Sequence, residues 1–162
     1  HVQLTLDRVY TYEEYVAWCA DNEVFPHWTA LCYWNEEDKG YTTGSDLIGF
    51  RTFSSSIGVQ FDDETYPYLT KFSLSEMEDE TTFASEDITK QHVLSMLRYT
   101  QDAPTFYEMM QEQTPDSLQY WEASIEKNGL FIYGFTVTAQ KEELERLAAL
   151  DAITYIYTDP AV

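Results

Sequence analysis

Residues 129–157 read GLFIYGFTVTAQKEELERLAALDAITYIY. The first part alternates, with Phe131, Tyr133, Phe135 and Val137 pointing one way and Ile132, Gly134 and Thr136 the other. Period two in aromatic and β-branched residues predicts a half-buried strand over Leu130–Thr138. From Lys141 to Leu150 the period becomes helical, with Leu144, Leu147 and Ala148 on one face, and Ile153–Thr158 returns to strand. Strand, helix and strand need a sheet to lie on, so the rest of the chain has to supply further strands.

Working outward, the opposite end has the same order of elements without repeating the sequence. Val2, Leu4 and Leu6 alternate with Gln3, Thr5 and Asp7, a strand with one buried face. Thr11-Tyr12-Glu13-Glu14 fits a capping box, in which Thr and Glu each satisfy a free amide of the first helical turn. Tyr12, Tyr15, Val16 and Cys19 follow at helical spacing. Pro26 falls in a connection, and Trp28, Ala30, Cys32 and Trp34 alternate in phase as a second strand.

Between the two ends, residues 35–46 are turn-rich, and Leu47-Ile48-Gly49-Phe50 opens a short strand toward Phe53. Ser54-Ser55-Ser56 reads as a turn, Ile57–Phe61 and Tyr68–Leu74 as strands, with acidic clusters at Asp62-Asp63-Glu64 and from Glu76 to Glu80. Ser85 is a good N-cap, and a helix with Ile88, Val93, Met96 and Leu97 as its stripe runs to about Gln101, before Pro104. Phe106–Met110 reads as a short helical piece. Thr114-Pro115-Asp116 starts another helix with Leu118, Trp121 and Ile125 inward, and Asn128-Gly129 ends it. The expected fold class is α+β: a mostly antiparallel sheet with helices on one face, two β-α-β units, and a ferredoxin-like core with a middle insertion at about 35–84 in a single domain, 1–162.

Charge and composition narrow the function. Nine Lys+Arg against 29 Asp+Glu give a formal net charge of −20, which disfavours nucleic acid and anionic membrane surfaces. Hydrophobic and aromatic contents of 44% and 16% fit a folded globule rather than a disordered acidic tail. No run approaches the roughly 18 apolar residues of a spanning helix. The opening at His1 rather than Met fits a fragment of a longer protein. Cys19 and Cys32 read as two buried thiols or, in an oxidising compartment, as a single disulfide.

The chemistry-bearing residues form no recognisable catalytic pattern. His1, His27 and His92 have no Cys or His at metal-ligand spacing, and Ser54–Ser56 has no nearby base. Glycine-rich phosphate loops are absent. Asn35-x-Glu37-x-Lys39-Gly40 resembles the start of a calcium loop, but Lys39 occupies a ligand position and Asp46 stands where a bidentate Glu belongs. Carboxylate pairs for glycoside hydrolysis are too easily found among 29 acids to mean anything by themselves. Trp18, Trp28, Trp34 and Trp121 could line a sugar or peptide groove, though such residues are more often core. No catalytic, cofactor-binding or metal residue is assigned.

Asn128-Gly129, the run Ile132-Tyr133-Gly134-Phe135-Thr136-Val137-Thr138, Glu143-Leu144, Leu147 and Ile153 resemble the ending of the sigma factor regulator C-terminal domain. The Val2–Thr11 strand with its Tyr-Thr-x-Glu-Glu helix start, Trp28–Trp34, Ile48-Gly49-Phe50 and Val93–Tyr99 look similar too, so the resemblance spans most of the chain. It departs at Ala139, where the family often has Gly. That family forms the outer portion of membrane-bound anti-sigma factors of Gram-positive bacteria. The resemblance therefore implies a non-enzymatic, extracytoplasmic sensor domain that responds to a protein partner or envelope ligand. A separate N-terminal segment would hold the sigma factor, and a single helix would cross the membrane. It supplies no site residues and no cofactor, and this fragment would bind neither nucleic acid nor the membrane surface. The alternative is a free acidic interaction module that masks a basic partner surface, steered by its charge. A hydrolase using an unrecognised carboxylate pair is a third reading.

Overall fold

In the computed structural model the described residues are 1–44, 47–51, 64–69, 83–103 and 117–158. They form six strands and four helices: β1 (Val2–Thr11), α1 (Tyr12–Asp21), β2 (Trp28–Asn35), β3 (Gly40–Thr42), β4 (Gly49–Arg51), α2 (Glu86–Asp102), α3 (Ser117–Asn128), β5 (Phe131–Val137), α4 (Lys141–Ala148) and β6 (Ile153–Thr158). The fold is α+β around one antiparallel sheet of order β3-β2-β5-β1-β6, with β4 also on β2. β3 and β4 lie end to end along the same edge of β2, pairing with Tyr33–Asn35 and Trp28–Ala30 respectively.

The terminal segments interleave. α1 joins β1 to β2, two strands that run the same way with β5 between them. α4 joins β5 to β6, again same-way strands, with β1 between them. The first and last thirds of the chain therefore build a single sheet, and neither closes it alone. The inward residues Leu4, Leu31, Ile132 and Phe135 form one core cluster with Tyr15 of α1, Val93 of α2, Trp121 of α3 and Leu147 of α4. All four helices thus cover the same face.

β5 corrects the simple alternation read from its sequence. Ile132, Phe135 and Val137 are buried, whereas Phe131 and Tyr133 are only half-buried. The pairing of β5 with β2 slips between Ala30 and Leu31, and its pairing with β1 slips between Thr5 and Tyr10, both at the level of Tyr133. A bulge there takes one residue out of the ladder and reverses the in–out phase on either side of it. β3 was not anticipated at all. Only three residues long, it is a hairpin partner of β2, turned by Asn35 Oδ1, which accepts the amides of Glu37 (2.8 Å) and Asp38 (3.3 Å).

Helix ends follow local chemistry. Ser85 Oγ accepts from Ile88 N at the start of α2. Gly129, at φ +84, takes the left-handed position after α3, and its amide donates to Ile125 O. The capping box of α1 is present: Thr11 N donates to Glu14 Oε2 (2.9 Å), and Glu14 N donates to Thr11 Oγ1 (3.3 Å). Arg8 adds a two-pronged contact to the same carboxylate. The Thr11 amide, then Arg8, hold the Glu14 carboxyl below its ordinary 4.5. A lowered folded-state value means the contribution is complete above 4.5 and is lost as pH falls through the folded value. Comparing Glu14→Gln with the parent, the gap in melting temperature should be widest at neutral pH and close as pH drops below 4.5. A gap unchanged into acid would rule this out. Thr11→Ala should cost about 1 kcal/mol.

In α4, Leu147 is buried and Leu144 packs against the core, but Ala148 is exposed. The expected strands Ile57–Phe61 and 70–74, the Ser54–Ser56 turn, the Glu76–Glu80 cluster, the Phe106–Met110 piece and the Thr114-Pro115-Asp116 start lie outside the described residues. Tyr68 and Leu69, read from sequence as strand, lie in a turn, with Tyr68 at φ +60.

Candidate functional site

Two hollows stand out among the described residues. The first, about 420 Å³, lies between α3 and the end of β2 and includes Trp34, Glu36, Tyr120, Ser124 and Lys127 in its lining. Trp121 positions it. That ring is fully buried and packs 4.7 Å from the Tyr33 ring, which docks α3 onto β2. Ser124 Oγ then donates to Trp34 O, and Lys127 Nζ reaches Glu36 Oε1 at 2.5 Å. Trp34 Nε1 donates to the other Glu36 oxygen at 3.2 Å. Lys127, then Trp34, hold the Glu36 carboxyl below its usual range. Both carboxylate oxygens are thus engaged in bracing the cleft, while Tyr120 remains 65% exposed on its rim.

The second hollow lies on the outer face of the sheet, opposite the helices. Cross-strand pairing sets Tyr157, Gln3, Thr136 and Trp28 in one row and Tyr155, Thr5, Gly134 and Ala30 in the next. The hollow, about 180 Å³, lies among Gln3, Thr5, Trp28, Tyr133 and Thr136, with Leu47 at its rim. Its floor is shallow because Gly134 and Ala30 carry little or no side chain. Farther along the same face, Tyr41 packs edge-on against both Trp34 (5.2 Å) and Phe131 (4.8 Å).

The tryptophans therefore divide. Trp121 is core and Trp18 packs 5.7 Å from Phe135, but Trp28 and Trp34 are half-buried on the outer face. Both phases of β2 are apolar, and the tertiary fold turns Thr29, Leu31 and Tyr33 inward instead. Alternation alone could not say which phase faced the helices.

His1 and His27 come together, with ring centres 6.2 Å apart, and His1 Nδ1 lies 3.0 Å from Thr138 Oγ1. His92 is buried, and its Nδ1 is 2.8 Å from Tyr68 O. Burial lowers its pKa, only partly offset by that carbonyl. In the loop with calcium-like spacing, Asn35 turns the β2–β3 hairpin and also donates from Nδ2 to Asp38. Asp46 lies outside the described residues. No group of three His, Cys, Asp or Glu among the described residues is arranged to hold a metal ion.

Cys19 and Cys32 are free and buried. Cys19 belongs to the helical side of the core, whereas Cys32 shares the outer phase of β2 with Trp28 and Ala30. The sheet separates them, so the disulfide alternative fails on geometry. Burial pushes both thiols up to about 12. At mildly alkaline pH iodoacetamide should leave the folded chain unlabelled and alkylate both cysteines after denaturation, because the thiolate is the reactive form. Rapid labelling of the native protein would contradict this.

A family model described as sigma factor regulator C-terminal matches residues 1–158. The chain belongs to that family. Its role is accordingly regulatory, within anti-sigma factors and so in the control of transcription, rather than that of a known enzyme family. No curated protein and no solved structure matches the chain. Four of the residues that carried the family resemblance hold the structure together in this member of the sigma factor regulator C-terminal family. Gly129 ends α3, Ile132 and Phe135 line the core from β5, and Leu147 anchors α4. Glu143 pairs with Arg146, whose guanidinium also donates to Asn22 O and Glu23 O beyond the end of α1. That contact ties the C-terminal helix to the N-terminal one. Sequence reasoning missed Arg146 and the Trp34–Glu36–Lys127 brace, because their partners lie more than 90 positions away or on another element.

Proposed function

We propose that this chain is the non-enzymatic, extracytoplasmic sensor domain of an anti-sigma factor. A separate N-terminal segment of the parent protein holds the sigma factor, and a single membrane-crossing helix links the two. Family membership over residues 1–158 is the observation that carries this reading. The order β6-β1-β5-β2, antiparallel at every step, supports taking the four longer strands with α1 and α4 as a ferredoxin-like core of two split β-α-β units. On such a core the sensing surfaces are the cleft at α3 and the outer sheet face, and the domain needs neither a cofactor nor a catalytic residue to act. No described helix is long and apolar enough to cross a membrane.

Deleting residues 1–158 from the parent protein tests the proposal. Transcription from sigma-dependent promoters should change and should stop responding to envelope perturbation, while the N-terminal segment still binds the sigma factor. Unaltered transcription with an unaltered response would refute the sensor role. An alkaline phosphatase fusion at Thr158 should be active on intact cells; activity only from a cytoplasmic reporter would refute the location.

A further inference from the structure

The outer sheet face differs in character from the rest of the molecule. The chain carries −20, yet from β6 to β2 the two rows Tyr157–Gln3–Thr136–Trp28 and Tyr155–Thr5–Gly134–Ala30 contain no charged residue, and the first charge met along them is Arg51, paired with Trp28 at the β4 edge. Tyr155 and Tyr157 are 62% and 46% exposed, although both are large aromatic groups. Between them and Trp28 lie Gln3, Thr5 and Thr136, none of whose side chains hydrogen-bonds within the described protein. Three strand steps separate Tyr157 from Trp28, about 14 Å at ordinary strand spacing.

We propose that this face binds a neutral oligosaccharide laid across the strands. Trp28 and Tyr157 stack against the C–H faces of its end sugars, and Gln3 and Thr136 hydrogen-bond hydroxyls between them. A sugar ring is apolar on its faces and polar around its rim, which matches aromatic platforms flanking amide and hydroxyl groups. Other occupants fit worse. An anion is repelled by the protein's field, and a cation finds no carboxylate on these rows. A purely apolar ligand would strip water from Gln3, Thr5 and Thr136 without replacing its hydrogen bonds. A second copy brings another −20 to the same contact. The proposal goes beyond the regulatory reading and stands or falls without it.

Calorimetric titration and tryptophan fluorescence of the 162-residue chain with cellotetraose, chitotetraose and, as the anionic counterpart, tetragalacturonate test it. At least one neutral tetrasaccharide should bind saturably and shift the emission. Trp28→Ala should weaken that binding at least about tenfold, as expected for loss of a stacking platform. Trp28 also packs over Gly49, so Tyr157→Ala and Gln3→Ala, at exposed positions, separate recognition from folding; each should weaken binding severalfold with an unchanged urea midpoint. The proposal is overturned if neither neutral sugar binds at millimolar concentration or if tetragalacturonate binds as tightly. It is equally overturned if Tyr157→Ala and Gln3→Ala leave binding intact, or if sedimentation shows the face buried between two copies.

Discussion

Trp121→Ala is expected to lower the unfolding free energy by about 3–5 kcal/mol, the range for truncating a buried aromatic ring. Small domains are typically stable by about 5–15 kcal/mol, so the variant loses roughly a fifth of that at the least and nearly all of it at the most. The reason is position. Trp121 is 0% exposed and is the ring through which α3 meets Tyr33 of β2. Removing it leaves a void between helix and sheet and loosens the cleft that Ser124 and Lys127 close. Trp121→Phe discriminates packing from polarity. The indole Nε1 is buried without a hydrogen-bond partner among the described residues, so the change to Phe removes an unsatisfied donor and forfeits no bond. Phe should therefore cost much less than Ala. Urea unfolding checks both: the midpoint should fall steeply for Ala and slightly for Phe, with the slope unchanged. Equal losses would show that the indole nitrogen has a partner after all.

Gly134→Ala is expected to destabilise by about 1–3 kcal/mol, the usual cost of overpacking. The sign is what makes this test sharp. Where the backbone is free, replacing a strand glycine by alanine stabilises, because the unfolded chain loses freedom. Gly134 sits in the middle of the sheet between Thr5 of β1 and Ala30 of β2. A Cβ there would lie 2.7 Å from Leu4 O, and main chain in a central ladder cannot step aside. The same residue adjoins the bulge that resets the phase of β5. Gly134→Ala should therefore lower the thermal midpoint, whereas Thr136→Ala, two residues on along the same strand, should change stability by no more than about 0.5–1 kcal/mol. A rise in the midpoint for Gly134→Ala would mean that β1 and β5 do not approach as described.

Much of the architecture was legible from short-range signals. The capping box at Thr11, the Ser85 cap, the left-handed Gly129 and the period-two runs of β1, β2 and β5 each depend on residues within a turn or two, so their readings needed no knowledge of the fold. The hollows were not legible. The α3 cleft is braced by Lys127 meeting Glu36 across 91 positions, and nothing in either neighbourhood announces the other. Trp28 and Trp34 shared a phase in the sequence, but β2 is apolar on both faces, so the phase carried no direction.

Local periodicity and caps were sufficient for the kinds of element, most of their ends and the α+β class, because those depend on backbone preference and nearest neighbours. Family membership was readable for the same reason, since the residues that carry it are turn and core positions of the final third. Three features required the folded chain: the insertion of β1 between β5 and β6, the reversal of phase at Tyr133, and the outer-face row that sets Gln3 and Thr136 between Tyr157 and Trp28. Each arises from pairing between segments more than 100 residues apart, where register is chosen by how well whole faces pack, and no local stretch of chain encodes that choice.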